Sequence, residues 1–278
     1  MSASRISPTA LYTGEVWHRH QRSFDELRVL EGQVFYRALQ PAMTASRTLG
    51  GATLEDFLLA RHDLIDAQLH DHLARHGRAI VIEIAAGLSP RGMRFVRQYG
   101  EAVTYIEADL PPMVHTKRGK IGAHLRTHPN HRVVPVDAFA AKGPNSLPAL
   151  FETLPAHEPV VVITEGLLNY FDRQHVERLF AQLATLFADR PGSLYVSDIH
   201  LQTTNQGLRI KIGKALLGAF VRGRLHLHYE RPADLIDAAA ANGLAAQLLV
   251  PSDFAGQFES CRAVGADLVS ILVARSLN

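Results

Sequence analysis

The stretch Ala79-Ile80-Val81-Ile82-Glu83-Ile84-Ala85-Ala86-Gly87-Leu88-Ser89-Pro90-Arg91-Gly92 decides the fold. Its first six residues form a nearly continuous aliphatic run, as expected of a strand buried on both faces. Ala85, Ala86 and Gly87 then make a tight turn of small residues, and a helical segment follows over 91–99. Small side chains let a ligand approach the backbone, and the next helix start offers unpaired N–H groups. The same residues also suit a turn that needs only close packing. The spacing is not G-x-G-x-x-G, so a dinucleotide pyrophosphate site gains little support here.

Four similar runs lie downstream, at 103–106, 132–136, 160–164 and 193–196. Helical segments separate most of them, at 112–125 and at 173–188, the last capped by Asp172. This alternation predicts a parallel sheet covered by helices on both faces. Pro135 sits inside the third run and marks it as an edge strand. After the fifth run the alternation stops. Residues 199–229 carry Gly207, Gly213, Gly218 and Gly223 among Arg209, Lys211, Lys214, Arg222 and Arg224. Those glycines argue against a basic membrane-surface helix at 209–228 and for a mobile lid or substrate wall. A helix at 231–241 follows, then strand-like runs at 246–250 and 269–274. The expected fold is α/β: a doubly wound, seven-stranded, mostly parallel sheet ending in an antiparallel pair, with a lid-like insertion at about 199–230.

Ahead of the first strand the chain reads as helical. Ser7-Pro8 is a good helix start. Leu54, Phe57, Leu58, Leu64, Ile65 and Leu69 fall at helical spacing, ending near Gly77. Residues 40–53, with Pro41, Gly50 and Gly51, read as loop. The expected division is a helical cap of the pocket at 1–77 and a core at 78–278.

Of 278 residues, 47% are hydrophobic and 20% charged, which excludes intrinsic disorder. Lys plus Arg number 29 and Asp plus Glu 27, a formal net charge of +2, too little concentrated charge for a nucleic-acid partner. The lone Cys261 excludes an intrachain disulfide and any zinc site built on two thiolates. No signal peptide and no run of roughly 18 apolar residues is seen, so a soluble cytoplasmic protein without membrane contact is expected. His70, His72 and His76, like His124, His128 and His131, lack H-E-x-x-H spacing and read as surface histidines, with no metal.

In open α/β sheets ligands bind beyond the carboxyl ends of the strands. After the second run comes Glu107-Ala108-Asp109-Leu110-Pro111-Pro112, where a carboxylate can accept both ribose hydroxyls; alternatively Asp109 caps the helix and Glu107 is solvated. Asp137-Ala138-Phe139 follows the third run, with Asp137 suited to an adenine amine or to a solvated turn. Glu165-Gly166 ends the fourth, facing a cleft where an ammonium or sulfonium group can rest, and the fifth ends in Ser197-Asp198-Ile199-His200. A rim of acids suits a cationic, nucleoside-bearing ligand and repels a phosphate-rich one.

Glu83 to Gly87, the E-x-D-L-P of Glu107 to Pro111 and the E-G-L-L-x-Y-F of Glu165 to Phe171 together resemble the leucine carboxyl methyltransferase family. The likeness is to its branch of bacterial O-methyltransferases linked to polyketide biosynthesis. Arg61-His62-Asp63-Leu64-Ile65-Asp66 resembles the family's R-x-x-x-x-D segment, and the match runs from about residue 11 to 199. The family usually has G-x-G in the first loop, whereas Ala85-Ala86-Gly87 supplies one glycine, and Ser89-Pro90-Arg91-Gly92 stands where an acidic residue is commoner.

The resemblance implies a Rossmann-like class I methyltransferase that binds S-adenosylmethionine and releases S-adenosylhomocysteine, without a metal. It implies contacts to the methionine part from Arg61 and the loop Ala85, Ala86 and Gly87, and from Glu165 under the ammonium, with Glu83 also among the cofactor-binding residues. It also implies ribose contacts from Asp109 with Glu107 beside it, and adenine contacts from Asp137 and Ala138. The acceptor implied is a carboxylate or hydroxyl of a small, polyketide-like metabolite. A carboxylate is already ionised at neutral pH, whereas a hydroxyl needs a base within reach. Tyr170, Asp198 and His200 are the candidates for one, with His226 and His228 beyond them. Trp17, Phe24, Phe35 and Tyr36 suit either the pocket wall or the core. The alternative reading is a module that binds the cofactor without turnover. A nicotinamide oxidoreductase is disfavoured by the missing glycines.

Overall fold

Seven strands form one sheet in a computed structural model that describes residues 8–202 and 226–277. They are β1 (Ala79–Ile84), β2 (Val103–Asp109), β3 (His131–Pro135), β4 (Val160–Thr164), β5 (Leu194–Ile199), β6 (Leu244–Leu249) and β7 (Ser270–Ser276). Their order is β3-β2-β1-β4-β5-β7-β6. The first five are parallel, while β7 runs antiparallel to both β5 and β6. Strand order reverses between β1 and β4, so the switch point lies at their carboxyl ends. Pro135 ends β3 at the sheet edge, where a missing N–H costs no ladder bond.

The pleat sorts side chains by parity. Ile80, Ile82 and Ile84 face a layer formed by α6 (Leu147–Glu152), α7 (Arg173–Phe187) and α8 (Pro232–Ala241). Ala79 and Val81, with Val103 and Tyr105, face α3 (Leu54–His76) and α4 (Arg91–Tyr99). Beside α4, Val114 and Ile121 of α5 (Pro111–Thr127) pack with Met93 and Val133. The same parity places Glu83 and Glu107 on the α3 and α4 side, as direct neighbours in the β1–β2 register. They are completely buried there, so neither is the solvated or cleft-facing acid that the sequence suggested.

Local signals set the helix ends. The Asp172 carboxylate accepts the His175 N–H at 2.9 Å at the start of α7. Asp56 accepts the Thr53 N–H at 2.8 Å, and Gly77 closes α3 at φ 72°. The expected loop at 40–53 is instead mostly helix, because α2 (Leu30–Thr48) runs through Pro41. Tyr36 and Met43 are buried in a cluster with Tyr12 and Val16 of α1 (Pro8–Arg19) and Phe57 of α3. That packing offsets the backbone bond that proline removes.

The lid expected at about 199–230 lies largely outside the described residues. His72, His124 and His131 are buried, not surface histidines, at 4%, 7% and 3% exposure. Among the described residues no group of three or more His, Cys, Asp or Glu is arranged to hold a metal ion, and no helix is long and apolar enough to cross a membrane. Cys261 is buried, and burial pushes its thiol up to about 11.

Two helical glycines make opposite predictions. A Cβ on Gly92 would lie 2.5 Å from both Glu107 Oε1 and His131 Nε2, whereas one on Gly119 meets nothing within 4 Å. Gly92→Ala is expected to destabilise by about 1–3 kcal/mol through overpacking, and Gly119→Ala to stabilise by about 0.5–1 kcal/mol. Urea unfolding of the two variants checks the contrast.

Candidate active site

Beyond the carboxyl ends of β1, β4 and β5 lies a cavity of about 360 Å³. Its floor is the loop Ala85, Ala86, Gly87 and Leu88 and the loop from Glu165 to Phe171. Asp198 and His200 close one side, Phe57, Leu58 and Arg61 of α3 another, and Thr9, Ala10, Thr13 and Trp17 of α1 the top.

The first loop keeps its tight curl despite having one glycine. Ala85 and Gly87 both lie in the left-handed region, at φ 54° and 50°. Alanine there costs roughly 1–2 kcal/mol of local strain. The curl brings the Gly87 N–H to 2.7 Å from Asp109 Oδ2, while Asp109 Oδ1 accepts the Leu110 N–H at 2.7 Å. Burial pushes the Asp109 carboxyl up, against the pull of those two N–H groups. Further along the edge, Asp137 is exposed and its carboxylate accepts the Phe139 N–H at 3.0 Å, while Ala138 is buried.

Below the cavity runs a buried ionic cluster. Arg91, fully buried at the start of α4, reaches Asp66, Glu83 and Glu165 at 2.6 Å each. Arg61 donates to Glu165 at 3.0 Å and to Asp198 at 2.9 Å, and Arg94 meets Asp66 at 2.7 Å. His62 sits among them, its Nδ1 3.2 Å from Glu165. Tyr105 donates to the other oxygen of Glu83 at 2.7 Å. Three guanidiniums therefore face four carboxylates. Burial alone would raise Glu165, but Arg91, His62 and Arg61 outweigh it and hold the carboxyl well below its usual range. Glu83 moves the other way, because burial dominates over Arg91. Glu107 belongs to a separate pair, 2.5 Å from Lys117 and 3.2 Å from His131.

The structure thus brings Arg61, Ala85, Ala86, Gly87 and Glu165 to the cavity wall. Asp109, Asp137 and Ala138 stand along the same sheet edge outside it, and Glu83 and Glu107 are held beneath. Of the aromatic candidates, Trp17 lines the cavity, whereas Phe24 and Tyr36 pack in clusters of the core and Phe35 is half-buried on α2. Among the acid-base candidates, Asp198 is committed to Arg61 and, at 2.6 Å, to the Gly166 N–H. The Tyr170 hydroxyl bonds Thr9 at 2.8 Å. His200 Nδ1 lies 2.6 Å from the Leu268 carbonyl oxygen, to which it donates. His226 and His228 do not line the cavity.

The sequence reading missed Arg91, His62 and Asp66 as one unit. One signal was present: a cation at a helix start opposes the macrodipole, so Arg91 in that place calls for carboxylates. His62 and Asp66, four apart, share a helix face.

Asp66 gives the cluster a pH signature. Burial would raise its carboxyl, but His62, Arg91 and Arg94 outweigh it and hold it at about 2. With the folded value below the unfolded one of about 3.9, its contribution is complete above that pH and is lost as pH falls toward 2. Asp66→Asn is expected to be less stable at pH 7 and to lose less stability between pH 4 and 2 than the parent, as measured by urea unfolding across that interval.

Comparison with known proteins fits this geometry. The chain is similar to a putative methyltransferase from Thermobifida fusca YX at 14% identity, covering 99% of this chain and 96% of that one with a TM-score of 0.63. It is similar to the S-adenosylmethionine-dependent methyltransferase SibL, in its apo form, at 15% identity over 98% of this chain and 70% of that one, TM-score 0.54. An O-methyltransferase family protein from Burkholderia thailandensis matches at 16% identity, 97% and 71% coverage and TM-score 0.51. At these identities the likeness is one of fold. The chain spans 51% of the length of PigF, a further match solved with SAH. The leucine carboxyl methyltransferase model matches residues 25–184, more than half of the 278. The chain belongs to the leucine carboxyl methyltransferase family.

Proposed function

We propose that the cleft binds S-adenosylmethionine and transfers its methyl group to a carboxylate or hydroxyl oxygen of a small acceptor. The observation that carries this reading is the placing of the large cavity at the switch point, directly against the Arg61–Glu165–Asp198 group and the curled Ala85–Gly87 loop. Two of the carboxylates, Glu165 and Asp198, line the cavity itself, which suits a ligand bearing an ammonium and a sulfonium. The buried indole N–H of Trp17 has no partner among the described residues, and its side chain lines the cavity. A ligand carboxylate answers that orphan donor. In this reading Arg61, Glu165 and the loop hold the methionine end, Asp109 the ribose, and Asp137 with Ala138 the adenine. Residues 1–77 cap the acceptor end over the 78–278 core.

The bound cofactor supplies the activated methyl group. The chain's own residues align it with the acceptor oxygen and exclude water, and alignment alone is worth much of the rate. For a hydroxyl acceptor, His200, which lines the cavity, is the candidate we favour to take the proton, since Asp198 is committed to Arg61 and Tyr170 bonds Thr9. The His200 Nδ1 lies 2.6 Å from the Leu268 carbonyl oxygen, which orients the ring at the cavity wall. SibL and the Burkholderia protein support a methyl-transfer chemistry of this general class by fold.

Two measurements test the reading. Titration calorimetry with S-adenosylhomocysteine is expected to show saturable binding that Asp109→Ala weakens by about 10–100-fold, the worth of hydrogen bonds to a charged group. Glu165→Ala is a poorer probe, because it leaves two buried guanidiniums short of a partner and is expected to destabilise by about 3–5 kcal/mol. Absence of heat with S-adenosylhomocysteine would overturn the assignment. Second, labelled-methyl transfer to a panel of hydroxylated and carboxylated aromatic acids separates the acceptor types. His200→Asn is expected to lower turnover of a hydroxyl acceptor by about 10²–10⁴-fold and to leave a carboxylate acceptor nearly unchanged.

A further inference from the structure

At the opposite end of the sheet a second, smaller cavity of about 60 Å³ opens. Its walls include His72, Arg75 and His76 of α3, Gly192 and Leu194 at the start of β5, and Arg275 near the end of β7. The strand β5 separates it from the methyl-transfer cleft by roughly 20 Å, at about 3.3 Å per residue.

Three features set this cavity apart. Its lining carries two guanidiniums and two imidazoles and, among the described residues, no carboxylate. Arg275 has no carboxylate partner among the described residues, and Arg75 has only the exposed Asp71, 3.5 Å away and outside the cavity. Such an exposed pair holds its partners weakly.

The second feature is an orphan. His72 is only 4% exposed, and its Nε2 is buried without a hydrogen-bond partner. Burial, then the nearby His76, Arg275 and Arg75, push this imidazole down to about 4, so every charge that perturbs it is positive. A buried polar atom left unpaired costs stability, and an acceptor in the cavity would remove that cost.

The third is room. A water needs about 10–15 Å³ of such space, so the cavity takes a group with several oxygens. Gly192, at φ 87°, lets the chain turn closely there, where an added Cβ would stand 3.4 Å from the His76 ring.

We propose that this cavity binds a small tetrahedral oxyanion, inorganic phosphate or sulfate, between Arg75, Arg275, His76 and the orphan nitrogen of His72. The site is independent of the methyl-transfer reading, and it adds a ligand of opposite charge type at the other end of the sheet.

The test is phosphate binding to the full chain at pH 7, by thermal unfolding and calorimetry, against sodium chloride at equal ionic strength. Phosphate also stabilises proteins without a site, so saturation and the variants decide. The expected result is saturable stabilisation, a dissociation constant raised at least tenfold in Arg275→Gln and in Arg75→Gln, and no change in phosphate affinity when S-adenosylhomocysteine is present. Both substitutions lie on exposed side chains, so folding is retained. Stabilisation no greater than that from chloride, unchanged affinity in both variants, or competition with S-adenosylhomocysteine would overturn the proposal. Sulfate in place of phosphate is expected to bind the same site and to show the same loss.

Discussion

A fully buried guanidinium is the constraint on which the rest of this molecule depends. Arg91 has no access to water, and taking such a charge out of solvent costs several kcal/mol unless hydrogen-bonded anions surround it. Three carboxylates do so, and they come from three parts of the chain: Asp66 from α3, Glu83 from β1 and Glu165 from the end of β4. One side chain therefore ties the helical preface to the two central strands at the switch point. Removing any one partner leaves the others uncompensated, which makes the cluster a device of position more than of net stability.

That arrangement explains how the cleft holds its shape. Glu165 is fixed by Arg91 from below and by Arg61 from the side, and Arg61 in turn fixes Asp198. Gly166 completes the frame: it sits at φ 69°, gives its N–H to Asp198, and an added Cβ would come within 3.3 Å of the Arg61 guanidinium. The charged wall of the cavity is thus rigid before any ligand arrives, the condition under which electrostatic positioning is effective. On the other side of β1, Asp109 links the Ala85–Gly87 loop to the end of β2. The loop keeps its left-handed geometry with alanine in place of one glycine because this carboxylate and the strand ends define its path.

Much of this was legible in the sequence. The aliphatic runs located β1 and β4 to the residue, Pro135 marked the edge, and the strand-helix alternation gave a doubly wound sheet. Those signals are local, and short-range backbone physics reads them. The reading failed where tertiary packing decides. Pro41 pointed to a loop, yet Tyr36 and Met43 bury against α1 and α3 and carry α2 through it. Glu83 and Glu107 stand at strand ends in the sequence, but the pleat turns both under α4, where Arg91 and Lys117 neutralise them. Buried histidines were likewise hidden, since nothing in the spacing of His124 and His131 reveals that their rings meet edge to face behind Glu107. Arg61, the Ala85–Gly87 loop and Glu165 were singled out by their motifs, and they meet at the cavity wall, the loop and Glu165 from strand ends and Arg61 from inside α3. Arg91, which holds Glu165 from below, was not singled out, because only the folded chain brings Asp66, Glu83 and Glu165 to one point.

The central claim is that the cavity at the switch point is a cofactor site preset by this ionic frame. A crystal structure of the chain with S-adenosylhomocysteine tests it most directly. The account predicts the amino-acid end of the ligand against Arg61, Glu165 and Trp17, the ribose at Asp109, and the Arg91 contacts unchanged. A ligand seated elsewhere, or a cluster that must break to admit it, would contradict the account.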